Sequence, residues 1–276
     1  MDNEIKSGKG YEVMQCGTLN SADYRLYFTD SQGFISPWHD IPIFADEKNR
    51  IYNMVLEIPR WSTAIMEMNT NESLSPIMQS RDTGNSIEFM EDVFPYHGYI
   101  WNHGALPQTW EDPNCRNESI NGSGNNAPLD IIEIGTNRHR RGDVIQVKIL
   151  GALALLDEGK LVWKLISIDI DDPLSSEVNT IADVVDNFDG VLESTKHWLT
   201  YHKVPFGKSA LEIAFDGQFQ DQQRAYEIIL QSHKHWKELL QDKNPQLNTE
   251  CCRIANAAFS LSETQCDKIV KSHDDP

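Results

Sequence analysis

Short runs of alternating apolar and polar residues recur from residue 24 to about residue 165. Successive side chains of a strand point to opposite faces of a sheet, so each run predicts a half-buried strand. The predicted strands cover residues 24–29, 51–58, 64–68, 144–150 and 161–168. Turn-forming residues separate these runs, at Pro59, Pro76, Gly84, Gly104 and Gly122. Short strands with frequent turns favour a closed β-barrel.

The spacing of apolar residues becomes helical after Pro173, which predicts helices over residues 181–188, 192–201 and 221–240. We therefore expect one mainly β domain with peripheral α-helices over residues 1–242, in which residues 1–20 form a loose arm. Residues 243–276 form a polar C-terminal tail, and the sequence is compatible with either an ordered or a partly disordered state of it.

The charge of the chain limits its partners. The formal net charge is −18, and such a surface repels the phosphates of nucleic acid. No run of about 18 apolar residues occurs, so no membrane span is expected. The first residues lack a secretory hydrophobic segment, and the five cysteines favour free thiols in a reducing compartment. We expect a cytoplasmic protein, with the nucleus as the alternative.

Ionisable residues concentrate at three places on the predicted strands and loops. They are Glu57 with Glu67, Asp130 with Glu133, and Asp157 close to Lys164. Carboxylates that converge suit hard cations such as Mg²⁺. Each group by itself is more typical of ordinary surface charge, and periodicity does not show which residues converge.

Six sequence motifs of this chain resemble family I soluble inorganic pyrophosphatases of the animal and fungal type. They are HDIPIFAD at 39–46, NMVLEIPRW at 53–61, FPYHGYIWN at 94–102, GALPQTWEDP at 104–113, PLDIIEIG at 128–135 and ALLDEG at 154–159. The resemblance extends from about residue 24 to residue 240. It implies an OB-like five-stranded β-barrel with peripheral helices, and a homodimer.

The resemblance also implies a chemistry. The family hydrolyses pyrophosphate with several Mg²⁺ ions, which neutralise the phosphates and lower the pKa of a bound water. An aspartate accepts the proton of that water. Lysine, arginine and tyrosine side chains hold the phosphate oxygens.

Seven of the fourteen residues that carry this chemistry are matched here. The implied metal positions hold four carboxylates, and the implied phosphate pocket holds two lysines and a tyrosine. These residues are Glu57, Glu67, Asp130, Asp157, Lys164, Lys203 and Tyr99.

The other seven positions are replaced. Two phosphate-binding cations become Ile65 and Glu88, and two phosphate-binding tyrosines become His103 and His202. Two metal-binding aspartates become Asn125 and Val162, and the general base becomes Ala127. Asn125 still offers a neutral oxygen to a metal, and the two histidines still offer hydrogen bonds to a phosphate.

These replacements lead to the hypothesis of a non-catalytic member of the family. Its role would be binding, as a homodimer, as the dimer partner of an active paralogue, or as a subunit of a larger complex. Two alternatives stay open. One is an active pyrophosphatase with a rearranged metal site, and the other is a sensor that binds phosphate or pyrophosphate without turnover.

Overall fold

The computed structural model of the chain describes residues 4–6, 10–117, 122–255 and 257–274. The strands within these ranges are β1 Glu4–Lys6, β2 Glu12–Cys16, β3 Arg25–Asp30, β4 Gly33–Ile35, β5 Phe44–Asp46, β6 Ile51–Ile58, β7 Met66–Met68, β8 Ile77–Gln79, β9 Asn102–Ala105, β10 Arg116–Asn117, β11 Gly122–Ser123, β12 Asp130–Glu133, β13 Val144–Asp157, β14 Lys160–Asp169 and β15 Glu212–Ile213. The α-helices are α1 Ile181–Asn187, α2 Val191–Tyr201, α3 Gln222–Leu239 and α4 Glu263–Asp274.

Five strands close into a barrel. β6 pairs with β9, β9 with β12, β12 with β14, β14 with β13, and β13 returns to β6. All of these pairs are antiparallel except β12 with β14, which is parallel. Closure removes the open sheet edges. The predicted OB-like five-stranded barrel is therefore confirmed.

Strand β13 shows why the barrel sequence is so apolar. Leu153 and Leu155 belong to the larger core cluster, whereas Ala152 and Ala154 pack in a second cluster with Ala225 of α3. Both faces of this strand are thus covered, one by the main core and the other by α3. A β-bulge between Ile149 and Gly151 shifts the alternation by one residue.

The predicted helices are present where their apolar spacing places them. Helix α3 begins after Asp221, whose carboxylate accepts a hydrogen bond from the Arg224 backbone, as expected of an N-cap. Helix α2 buries Leu192, Trp198 and Leu199 along one side. No helix in the described ranges combines the length and the apolar character that crossing a bilayer requires.

The predicted loose arm contains ordered structure. Strand β2 pairs with β3, and Val13 and Cys16 are buried. Val13 lies opposite Phe28, so its apolar contacts come from a later strand that local sequence patterns do not reveal. Residues 1–3 and 7–9 of the arm lie outside the described residues.

The predicted tail also packs on the barrel domain within its described part. Leu247, Leu261, Cys266 and Val270 are buried, the last two on α4. Arg253 forms a two-pronged ion pair with Asp30, at 2.9 and 2.7 Å. The segment is polar in composition but buries a few apolar residues against partners that lie far away in the sequence. Residues 256, 275 and 276 are outside the described ranges, and the division of domains at residue 242 stays a prediction.

Candidate active site

A cavity of about 520 Å³ opens beside the barrel. Its walls are formed by strands β6, β9, β12 and β14, by the segment around β7 and by the residues after α2. Eleven of the fourteen positions identified by resemblance line it, namely Glu57, Ile65, Glu67, Glu88, Tyr99, His103, Ala127, Asp130, Lys164, His202 and Lys203. Tertiary structure therefore brings together residues from at least six separate segments of the chain.

Asp130 and Lys164 form the central pair of the cavity. They are direct neighbours across the parallel strands β12 and β14, and Lys164 Nζ lies 2.5 Å from Asp130 Oδ2. The other carboxylate oxygen of Asp130 lies 3.4 Å from His103 Nε2. One oxygen of this aspartate thus faces the lysine ammonium group and the other faces an imidazole nitrogen.

Glu57 and His103 lie side by side in the cavity. Glu57 Oε2 lies 3.8 Å from His103 Nδ1. Burial raises the pKa of Glu57 well above its usual value, although the Met68 backbone donates a 2.8 Å hydrogen bond to it. Burial, with Lys164 and His202 nearby, lowers the pKa of His103 to about 4. Because the His103 imidazole is neutral near pH 7, the contact is not a salt bridge.

Acidic residues occupy the opposite wall. Glu67 lines the cavity and is exposed to solvent, while desolvation by the surrounding atoms raises its pKa. The charges of Asp130 and Glu88 act in the same direction, while the Ser80 hydroxyl opposes them. Burial and the same acidic groups raise the pKa of Tyr99, so its hydroxyl stays protonated.

The residues after α2 complete the cavity. Lys203 forms an ion pair with Asp157, which does not line the cavity itself. His202 stacks on Trp198 with ring centroids 4.8 Å apart, and its Nδ1 lies 2.9 Å from the Leu199 carbonyl. Burial, reinforced by Lys164, lowers the pKa of His202 to about 4. Near neutral pH this histidine carries no positive charge that could attract a phosphate.

The replaced metal positions offer few ligands. The Asn125 side-chain oxygen accepts a 2.9 Å hydrogen bond from the Ala127 backbone, and Asn125 is not among the lining residues. Val162 is partly buried and packs against the main core. Ala127 presents only a methyl group to the cavity.

The donor set does not fit the Mg²⁺ ions that the resemblance implies. Lys164 already engages Asp130, and Lys203 engages Asp157. Without a bound cation, burial raises the pKa values of Glu57 and Glu67 and favours their neutral acids. Across the described ranges, no three side chains of His, Cys, Asp or Glu are grouped so that they could hold a metal ion.

Some residues of the site lay outside the sequence prediction. Lys208 and Phe206 line the cavity, and Lys208 pairs with Glu158 at 2.9 Å. Glu111 is buried close to Asp130, accepts a 3.2 Å hydrogen bond from the Trp163 backbone and has a raised pKa because of burial. Glu111 belongs to the sequence motif at residues 104–113, and this position was the indication in the sequence that it lies near the site.

Glu133, in contrast, has a structural role. Its carboxylate accepts hydrogen bonds from Asn102 Nδ2 and from the backbone of Gly135 and Asp169, at 2.8, 2.7 and 3.1 Å. The strand alternation explains the difference, because Glu133 is three residues after Asp130 and so points to the other face of β12.

The closed barrel places the protein in the OB-like β-barrel class. Its cavity, which carboxylates and lysines line, is a polar pocket of the kind that enzymes have. Residues 54–237 match the family model described as "Pyrophosphatase: Inorganic pyrophosphatase". The chain therefore belongs to the inorganic pyrophosphatase family.

Named relatives agree with this assignment. The chain is 47% identical over 239 residues to "Inorganic pyrophosphatase 1" of Caenorhabditis elegans, a match that covers 87% of this chain but 56% of that protein. It is 43% identical to the inorganic pyrophosphatase of Drosophila melanogaster, covering 94% of this chain and 78% of the relative. The solved inorganic pyrophosphatase of Schistosoma japonicum is similar in structure, with a TM-score of 0.88, 39% identity and coverage of 91% of this chain and 90% of that chain.

Proposed function

We propose that this family member has lost pyrophosphate hydrolysis, or retains very little of it, and acts through binding. The observation that carries the proposal is the state of Asp130. Its carboxylate is engaged by Lys164 at 2.5 Å and faces His103, while Ala127 nearby offers no group that accepts a proton.

Each replacement removes a different part of the chemistry. Hydrolysis requires a water that is activated by a cation and deprotonated by a base. The base alone contributes roughly 10²–10⁴-fold to such a reaction. Glu88, in a position where the family has a cation, repels the pyrophosphate anion. The effects of the replacements are not additive, but each one lowers the rate of pyrophosphate hydrolysis.

A binding role needs a surface, and two aromatic side chains provide one candidate. Trp61 is 56% exposed and Phe94 is 91% exposed. The Trp61 backbone donates a hydrogen bond to the carbonyl of Tyr99, so the two segments that carry the exposed aromatics are joined. We infer that this surface contacts a second copy of the chain or an active paralogue, because buried aromatic anchors dominate protein interfaces.

One observation favours a second candidate, an active enzyme with a rearranged metal site. Glu57, Glu67, Glu88 and Asp130 all line the same cavity. If a divalent cation displaced the lysine and lowered the raised pKa values of Glu57 and Glu67, these four carboxylates would supply a different ligand set.

The decisive experiment measures phosphate release from pyrophosphate by the purified chain with millimolar Mg²⁺, Mn²⁺ or Zn²⁺. The Asp130→Ala variant reports contaminating activity. We expect both proteins to give the same background. Turnover that is present in the wild type and absent in Asp130→Ala would overturn the proposal in favour of the rearranged metal site.

A reconstruction supplies the positive control. The triple variant Asn125→Asp, Ala127→Asp, Val162→Asp restores the implied aspartates in the same scaffold. A gain of Mg²⁺-dependent hydrolysis in this variant, with none in the wild type, supports the assignment of the loss to these positions. Light scattering of the wild type and of Trp61→Ala, alone and mixed with an active homologue, tests the proposed interface.

A further inference from the structure

Two thiols lie in contact in the C-terminal segment, far from the cavity in sequence and outside its lining. Cys252 Sγ is 3.5 Å from Cys266 Sγ. Cys252 lies in the segment that follows the barrel domain, and Cys266 is on α4. A disulfide requires the two sulfurs to approach to about 2.05 Å, so a shift of about 1.5 Å closes the gap.

The backbone around each thiol is held in place by hydrogen bonds. The Asp40 carboxylate accepts hydrogen bonds from the backbone of Cys252 at 2.9 Å and of Arg253 at 2.8 Å. The Cys266 backbone donates a 3.0 Å hydrogen bond to the Ser262 carbonyl in the first turn of α4. Folding therefore brings the sulfurs together and keeps them there.

We propose that Cys252 and Cys266 are a redox-active dithiol that hydrogen peroxide converts to an intramolecular disulfide. Cys252 is half-buried and meets the oxidant, whereas Cys266 is 1% exposed and can react only with its neighbour. The assignment is independent of the proposed function, because neither thiol lines the cavity.

The reaction balances in two steps. The Cys252 thiolate attacks one peroxide oxygen, the O–O bond breaks, and the product is a sulfenic acid and water. The Cys266 thiol then attacks the sulfenic sulfur, the S–S bond forms and a second water leaves. Two thiols are oxidised by two electrons and one hydrogen peroxide is reduced to two waters. Burial and the Asp40 carboxylate raise the pKa of Cys252, so the first step is slow at neutral pH.

The disulfide would tie α4 to the segment that contacts the cavity rim. In that segment the Asn248 backbone donates a 2.8 Å hydrogen bond to the carbonyl of Thr70, and Thr70 lines the cavity. Closing the short loop between Cys252 and Cys266 restricts opening of α4. Oxidation is therefore expected to act on both the helix and one side of the cavity.

The test treats the reduced full-length chain with millimolar hydrogen peroxide, alkylates the remaining thiols and determines the masses of the intact protein and its peptides. We expect two of the five cysteines to escape alkylation and a cross-linked peptide to join Cys252 with Cys266. Trypsin should then cleave at Lys268 of α4 roughly ten- to a hundredfold more slowly than in the reduced chain. Dithiothreitol should reverse both changes.

Matched variants make the outcome specific. Cys266→Ser should abolish the cross-link and the protection, while Cys251→Ser, one residue from Cys252, should retain both. Cys115→Ser removes the exposed thiol that could join two molecules. A cross-link that includes Cys251 or Cys16, a disulfide only between molecules, or full alkylation of all thiols after peroxide would each overturn the proposal.

Discussion

The Lys164 ammonium group lies 2.5 Å from the Asp130 carboxylate because the two residues are direct neighbours on parallel strands of the barrel. Both side chains are largely shielded, with 14% and 22% of their surfaces exposed. The lysine therefore neutralises the one carboxylate at the centre of the cavity that the family resemblance assigns to bridging metal ions.

Removing this lysine should expose the aspartate to cations. Breaking a surface pair costs about 0–1 kcal/mol and breaking a fully buried one about 3–5 kcal/mol. For Lys164→Gln, which is between these cases, we expect the free energy of unfolding to fall by about 2 kcal/mol without metal. Millimolar Mn²⁺ should restore part of the loss, as measured by thermal unfolding. Lys160→Gln, an exposed change on the same strand, should show neither effect.

Replacing Glu88 by a cation should improve pyrophosphate binding. A hydrogen bond to a charged group is worth about 1.5–3 kcal/mol, or roughly a 10- to 100-fold change in Kd. We therefore expect Glu88→Arg to bind pyrophosphate at least about tenfold more tightly than the wild type in metal-free calorimetry. Glu91→Arg makes the same charge change at an exposed position outside the cavity lining. Equal affinity in the two variants would contradict a direct role of Glu88 in the cavity.

Glu57 should make the chain less stable as the pH rises. Because its pKa is raised in the folded state, the folded chain holds the proton more tightly than the unfolded chain. Its contribution is complete below the ordinary pKa of about 4.5 and is lost as the pH rises through the raised value. Glu57→Gln keeps the hydrogen bond from the Met68 backbone but cannot ionise.

We therefore expect Glu57→Gln to unfold at a higher temperature than the wild type at pH 8 in EDTA. The advantage should shrink towards pH 5, since the wild-type carboxyl is then protonated. Each kcal/mol corresponds to roughly 2–4 °C for a chain of this size. Glu91→Gln serves as the exposed control. A variant that is less stable than the wild type at pH 8 would rule out burial of Glu57 as a cost to folding.

Arg253 should hold the C-terminal segment on the barrel domain. Its guanidinium group forms two hydrogen bonds to Asp30, a geometry that is stronger than a single contact. Arg253→Ala should weaken docking by roughly 1–3 kcal/mol and speed amide hydrogen exchange in residues 257–274. Exchange in β13 and β14 should not change. Lys271→Ala, an exposed change on α4, is the control.

Sequence patterns alone identified much of the fold. Alternation located β6 and β14 and the first half of β13, and helical spacing located α2 and α3. These elements follow from short-range periodicity, which is a property of neighbouring residues. The motif resemblance added the OB-like five-stranded form of the barrel and the positions of the replaced residues, since residue identity at Ala127 or Glu88 is read directly from the sequence.

Tertiary structure decided the state of those residues. The pairing of Lys164 with Asp130 depends on the register of β12 and β14, and that of Lys203 with Asp157 on the approach of a loop to a strand. The raised pKa of Glu57 comes from burial, because the free energy of ionisation depends on the surrounding dielectric and not on neighbours in sequence.

The C-terminal segment also separates what the sequence shows from what the tertiary structure decides. Its composition is polar and left its order open, whereas in the structure Cys266 and Val270 are buried in one cluster with Tyr27 of β3 and Leu74. The sequence by itself thus determined the elements, the family and the substituted chemistry. Only the folded chain determined which charges are paired, which carboxyls are desolvated and which thiols touch, because each of these depends on contacts between residues far apart in the sequence.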